Sequence, residues 1–291
     1  MTATPTATTI PATATVTAIG RKASLVARLR GGATITGLAI VVLVFGAGLA
    51  APLLATHGPD AQSADALAGP SGAHLLGTDE FGRDLLSRVL HGIRVDVFIT
   101  AAAVPTGAFI GTAIGLLSGV HRYLDVVLQR LFDIMLAFTA LVLGVTIAAI
   151  QGPGTTAIVL TVIGVNIPLF GRLTRDAVIS QRDRDYVIAA RVVGTRPTRV
   201  LFRHILPNSV DALIVQAALS LSLAVFIEGA MSFVGIGVRP PDPSLGSLLR
   251  TSINFLSQNP AYALGPMVVV TALVIGFNLI ADGLNKGLLR R

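Results

Sequence analysis

Apolar residues run along this chain in long blocks separated by shorter polar stretches. The blocks lie at about 35–55, 97–120, 132–150, 156–173, 209–233 and 264–284. Each is close to the roughly 20 residues that a helix needs to cross about 30 Å of hydrocarbon, so six membrane-spanning helices are expected. A cleaved signal peptide is the rival reading of the first block, but the block is longer than a signal core, which favours a retained span. Two polar stretches exceed a turn, one at 57–96 and one at 183–207. The first holds HLLGTDEFGRDLLSRVLHGIRVDV, where Asp79, Arg83, Asp84, Arg88 and Arg94 alternate in sign around Leu85, Leu86, Val89 and Leu90. That pattern predicts an amphipathic helix lying at the interface.

Composition narrows the class. The 291 residues are 53% apolar and 13% charged, with a mean hydropathy of +0.76, against about 25% charged residues in ordinary soluble domains. Zero cysteines exclude disulfides and thiol chemistry. The net charge of +7 is compatible with nucleic-acid binding, but its placement follows membrane topology. With the N-terminus cytoplasmic, 17 of the 22 Lys and Arg fall on inside segments and 5 outside, as the positive-inside rule requires. No nucleic-acid partner is expected; the partner that the charges imply is the bilayer, with both termini cytoplasmic. The expected organisation is a Thr/Ala-rich tail with a basic end (1–30), too polar and irregular to pack, then a first span (31–56), an external loop with its interfacial helix (57–96), a core of five spans (97–284) and a short C-terminus (285–291).

The stretch at 183–207 reads as two short helices. Tyr186, Ala189, Ala190 and Val193 fall on one face, and Gly194 supplies the left-handed cap that ends the first helix. Thr195 can cap the second, Pro197 is tolerated in its first turn, and Pro207 is expected to end it. A face of small side chains on a basic stem suits docking into a partner's groove. The pattern resembles the cytoplasmic loop signature of bacterial ABC importer permeases: Glu-Ala-Ala, three residues, Gly, nine residues, Ile-x-Leu-Pro. Ala189, Ala190, Gly194, Leu206 and Pro207 match it, while Ile188 and His204 depart from its glutamate and isoleucine.

Two further stretches resemble the dipeptide, oligopeptide and nickel branch of that family, and its C-type subunit in particular. In the first, Gly77, Thr78, Asp79, Gly82, Arg83, Asp84, Ser87, Arg88, Gly92 and Arg94 match; in the second, Glu228, Ser232, Phe233, Gly235, Gly237, Pro240, Pro241, Pro243 and Gly246 match. Two readings stand for Asp79, Arg83, Asp84 and Arg88: contacts for an external gate or binding protein, or a paired interfacial helix that orients the second span. The branch often carries a proline soon after Asp133; Phe138 and Thr139 stand here instead, so a straighter third helix is expected. The resemblance implies an all-α fold of six spans with a coupling-helix pair, of the type I importer architecture. It also implies a bacterial inner-membrane location, a second homologous permease subunit, two ATP-binding subunits and an external substrate-binding protein.

Within the spans, Gly107, Gly111, Gly115 and Gly119 recur every four residues on one helical face, where a neighbouring backbone can come close; the neighbour lies in this chain or in a partner. Gln216, Ser220 and Glu228 are candidates for a translocation path, and Glu228 has the competing reading of a structural hydrogen bond. Asn166 and Pro168 form a polar or kinked spot in the fourth span. The chain lacks G-x-x-x-x-G-K-[ST], so ATP and Mg are expected in the partner ATPases, and no cofactor, catalytic residue or metal site is expected here. His57, His74, His91, His121 and His204 are scattered outside the spans. Neither H-E-x-x-H nor G-x-S-x-G occurs, which disfavours an intramembrane hydrolase. An ion-coupled secondary transporter would need more midplane charge and internal repeats. The cargo implied by the resemblance is dipeptides or short oligopeptides, with nickel, haem or another small solute as the alternative.

Overall fold

The computed structural model describes residues 31–289 apart from 121, 183, 185, 186, 189–191 and 196. Helices account for almost all regular structure among the described residues, with one isolated bridge between Thr78 and Asp84. In chain order they are α1 (Gly32–Leu49), α2 (Ala51–Leu54), α3 (Leu85–Val120), α4 (Arg122–Ala137), α5 (Ala140–Gln151), α6 (Thr155–Arg182), α7 (Pro197–Val200), α8 (Leu206–Val234), α9 (Leu245–Ser252) and α10 (Ala261–Leu289). Of these, α1, α3, α6, α8 and α10 are long and apolar enough to cross a membrane. With α4 and α5, bent by 91° where they meet, counted as one broken span, the candidate crossings number six.

That bend replaces the straighter third helix expected from the missing proline. Thr139 adopts an extended backbone and its hydroxyl accepts from Val142 N, so the residue caps a new helix. An N-cap in extended backbone starts a new helix without continuing the axis of the one before it.

The interfacial helix expected before the second span is also absent as a separate element. Residues 85–120 form one helix of 36 residues, about 54 Å at 1.5 Å per residue. Asp84 Oδ2 accepts from Ser87 N at 2.8 Å and starts it. The apolar face was read correctly, but protein covers it: Leu85, Val89, Leu90 and Ile93 pack with Ala51, Leu245, Leu248 and Tyr262.

Pro207 does not end a helix. The backbone stays right-handed helical through a five-residue π turn, Leu201–Ile205, and runs on into α8 with the proline in its first turn. A wider turn just before the proline accommodates its ring and missing N–H, so α7, the π turn and α8 form one continuous stem.

Close backbone approach holds the bundle together. A Cβ on Gly111 would lie 2.5 Å from Ile167 O, one on Gly115 2.3 Å from Gly171 O, and one on Gly107 2.7 Å from Asn166 Cβ. A Cβ on Gly119 would meet Val178 at 2.6 Å. The four-residue glycine repeat of α3 therefore faces α6 of the same chain. Likewise α1 rests on α10 through Gly37, whose Cβ would lie 2.5 Å from Gly276 O. The central core gathers Ile99, Ala103, Val104, Ala157, Ile158, Val162, Ala224, Ile227 and Met231 from α3, α6 and α8. Large apolar side chains such as Leu43, Phe109 and Ile150 remain exposed on the outside of the bundle, as lipid or a second membrane subunit would allow.

Candidate functional site

At one end of the bundle, the segment that links α6 to α8 projects a small apolar tip. Gly194 has φ +78°, and a Cβ there would meet nothing within 4 Å. Its neighbours Val192 and Val193 are 81% and 84% exposed. The conformation is the left-handed one that the spacing predicts, and Pro197 opens α7. Tyr186, Ala189 and Ala190 lie outside the described residues. Leu206 is half-buried and Pro207 exposed at the start of α8.

The tip is free, but its base is not. Val187, Val200, Leu201 and Ile205 are buried together with Leu116 from the end of α3 and Val178 from the end of α6. The same end carries ion pairs that bind α4 to α6. Arg175 Nε and Nη2 donate to the two oxygens of Asp125 at 2.5 and 2.7 Å, and Ser118 Oγ of α3 donates to Asp125 at 2.6 Å. Arg172 Nη2 donates to Asp133 at 2.5 Å. The base of the tip is thus packed against the ends of α3 and α6 and is continuous with α8.

The opposite end is built differently. Asp79 is fully buried; Oδ1 accepts from Phe81 N and Arg83 N at 2.8 and 2.9 Å, and Oδ2 accepts from Arg83 Nε at 2.6 Å. Arg88 Nε lies 3.6 Å from Asp79 Oδ2, while Arg88 Nη1 donates to Pro59 O and Asp60. The Thr78 hydroxyl donates to Asp65 O, and Asn259 Nδ2 donates to Ala68 O and Thr78 O at 3.1 and 3.3 Å. Tyr262 OH donates to Glu80 at 2.8 Å. These groups fold the 57–84 loop onto the start of α3 and α10. This end leaves Phe81 exposed, with the Arg83 guanidinium 4.7 Å over its ring. Beside it lies a cleft of about 240 Å³ lined by Glu80, Arg83, Asp242, Ser247 and Thr251 among others. The two family-like stretches, distant in sequence, meet across that cleft.

Glu228 sits below it, fully buried. Its Oε1 accepts from Ser232 Oγ at 2.8 Å, and its carboxyl lies close to that of Asp96, equally buried on α3. Among the described residues no hydrogen-bond partner reaches either oxygen of Asp96 or Oε2 of Glu228. The pair lies where α3 meets α8 and the chain reversal that leads into α9, where Gly246 packs on Gly229 O. Gln216 and Ser220 are not part of it: Gln216 Nε2 donates to Ser220 Oγ at 3.4 Å, at least about 12 Å from Glu228 along α8. Sequence reading missed Asp96 because it placed the span start at residue 97. The available signal was the continuous apolar spacing of Leu85, Val89 and Ile93, which makes Asp96 the single acid inside a long helix.

Residues 107–291 match the family model described as "Binding-protein-dependent transport system inner membrane component". Among curated proteins, the dipeptide transport system permease protein DppC of Alkalihalophilus pseudofirmus is 38% identical over 256 residues, covering 87% of this chain and 84% of that protein. The DppC of Haemophilus influenzae is 37% identical, covering 87% and 88%. The probable D,D-dipeptide transport system permease protein DdpC of Escherichia coli is 36% identical, covering 90% and 89%. Among solved structures, a chain of the MetNI methionine ABC transporter in an inward-facing conformation superposes with a TM-score of 0.59 at 17% identity, covering 68% of this chain and 95% of that one. At that identity the likeness speaks for the fold, which is the type I importer permease architecture. With a family model spanning more than half of its length and relatives this similar across most of it, the chain belongs to the binding-protein-dependent transport system inner membrane components.

Proposed function

We propose that this chain is the C-type permease subunit of an ATP-driven bacterial importer for dipeptides or short oligopeptides. It pairs with a second homologous permease, and an external binding protein delivers cargo at the end that holds Phe81 and the Arg83 cleft. Two ATP-binding subunits dock at the 183–207 tip and consume ATP and Mg; the chain itself is not an enzyme. Both termini are cytoplasmic. The peptide cargo is carried over from the relatives named above, because the binding protein of such a system selects the substrate.

The observation that carries the reading is the free tip on a packed base. Gly194, Val192 and Val193 offer a small apolar surface that the described residues leave exposed, while Val187, Leu201 and Ile205 weld its base to the ends of α3 and α6. ATP-driven closure of the docked subunits moves the tip, the stem of α7, π turn and α8 follows as one rod, and the bundle rocks from inward- to outward-open. The coupling is mechanical and biases a two-state element.

The test is purification of the tagged chain from native membranes in mild detergent, with mass spectrometry of what stays bound. Recovery of a second six-span permease and of Walker-motif ATPases is the expected result. A stable complex without any ATPase, from membranes where control importers keep theirs, overturns the docking claim.

A further inference from the structure

The 57–84 loop brings together two of the histidines that appear scattered in the sequence. The ligand-capable atoms of His57, His74 and Asp84 all lie within 4.8 Å of one another. The imidazole rings of His57 and His74 sit 4.8 Å apart, tilted by 34°. His74 Nδ1 is 3.0 Å from Asp84 Oδ1. A tetrahedral Zn²⁺ with bonds of about 2.0–2.2 Å holds its ligand atoms roughly 3.3–3.5 Å apart, so the His74–Asp84 pair already has nearly that spacing.

Each member of the trio is anchored. Asp84 is buried, and its second oxygen accepts from Ser87 N at 2.8 Å, which leaves Oδ1 directed at His74. Ser87 Oγ donates to His57 O at 2.8 Å and ties that backbone to the first turn of α3. Thr56 Oγ1 lies 2.9 Å from His57 Nδ1. A second partner on one ring nitrogen fixes a ligand imidazole and frees the other nitrogen, here Nε2. His57 is exposed, so its ring can close the remaining distance. The adjacent cation, Arg88, is already paired with Asp60 and with Asp79 and does not compete for Asp84.

We infer that His57, His74 and Asp84 form a site for a borderline divalent cation of the Zn²⁺ class, one that clips the loop following α1 and α2 to the head of α3. Two imidazoles and one carboxylate suit such an ion, whereas Ca²⁺ and Mg²⁺ prefer all-oxygen shells. Three protein ligands leave a fourth position for water or a ligand group. The inference rests on side-chain geometry alone and does not depend on the cargo or on ATPase docking. It also reverses the sequence expectation that the chain holds no metal.

The experiment uses the full-length chain in detergent, carrying a tag without histidine, stripped with EDTA and titrated with Zn²⁺ alone. One Zn²⁺ per chain is expected, with no comparable binding of Ca²⁺ or Mg²⁺. H57A and H74A should each weaken the affinity by about 100-fold or more, since losing a ligand exceeds the 10–100-fold cost of losing an outer-shell partner. H91A should retain binding, because His91 is not among the three ligands. H57A keeps the experiment decisive if H74A fails to fold: His57 is exposed and its side chain bonds to the adjacent Thr56. Absence of Zn²⁺ uptake by the wild-type chain, or stoichiometric uptake unchanged by H57A, overturns the site.

Discussion

The two ends of this bundle carry similar-looking sequence, short polar stretches rich in Arg and Asp, yet they use it in opposite ways. At the Asp79 end the charges are consumed internally. Asp79 and Asp84 are buried, Asp79 accepts three hydrogen bonds, Asp84 accepts from Ser87 N and lies against His74, and the loop they organise is closed on itself. At the Gly194 end the internal contacts among the described residues stop at the base, and the tip presents exposed valines beside a glycine where an added Cβ would meet nothing within 4 Å. The lesson is that charge density alone does not locate a docking surface. What marks one is an element whose base is packed and whose tip is unpartnered.

Substitutions at four positions sharpen that contrast, beginning with the largest effect. G194R should abolish uptake and reduce recovery of the ATPase subunits at least about tenfold, because it adds a bulky side chain at a φ of +78° in the middle of the tip. Membrane insertion should be unchanged, and fractionation checks it; normal uptake would remove the docking role. D79A should instead act on folding. It removes the acceptor for Phe81 N, Arg83 N and Arg83 Nε and leaves Arg88 short of a partner, at a cost of about 3–5 kcal/mol. Loss of yield and of thermal stability is the expected readout, and a stable, well-expressed variant would mean that the network is not internal support.

G115V tests the middle of the molecule, where α3 and α6 backbones touch. The new side chain meets Gly171 O, and the expected cost is about 1–3 kcal/mol with the topology preserved. A variant as stable as the parent by thermal unfolding in detergent would show that the helices separate easily. The smallest effect belongs to Glu228. E228Q keeps the acceptor for Ser232 Oγ and should stay close to the parent, whereas E228A leaves the buried Ser232 hydroxyl without that acceptor and should lose about 1–3 kcal/mol. Equal stability of the two, or a transport defect in E228Q at full stability, would move Glu228 from support to the path.

Much of the fold was legible from hydrophobic block length alone, since five of the six blocks correspond to single long helices. The left-handed Gly194 and the glycine face of α3 were also legible, because φ preference and four-residue spacing are local properties. Which helix that face meets was not. Nor was the Asp96–Glu228 pair, which joins residues far apart in sequence, or the convergence of His57, His74 and Asp84. The break at Thr139 and the passage through Pro207 were misread for a different reason: a cap can turn a chain without proline, and a π turn can carry a helix through one. Local rules set what a residue prefers, and packing decides whether the preference is used.

Because the natural chain has no cysteine, one thiol gives a background-free probe of the central claim. The most direct measurement is crosslinking of V193C in native membranes, with F81C as the control at the other end. The account predicts that V193C crosslinks to an ATP-binding subunit with a yield that changes on adding ATP, and that F81C does not. Crosslinking of an ATPase at Phe81 rather than Val193 would invert the topology, and an ATPase crosslink at neither position, in membranes where the importer is active, would contradict the coupling role of the 183–207 tip.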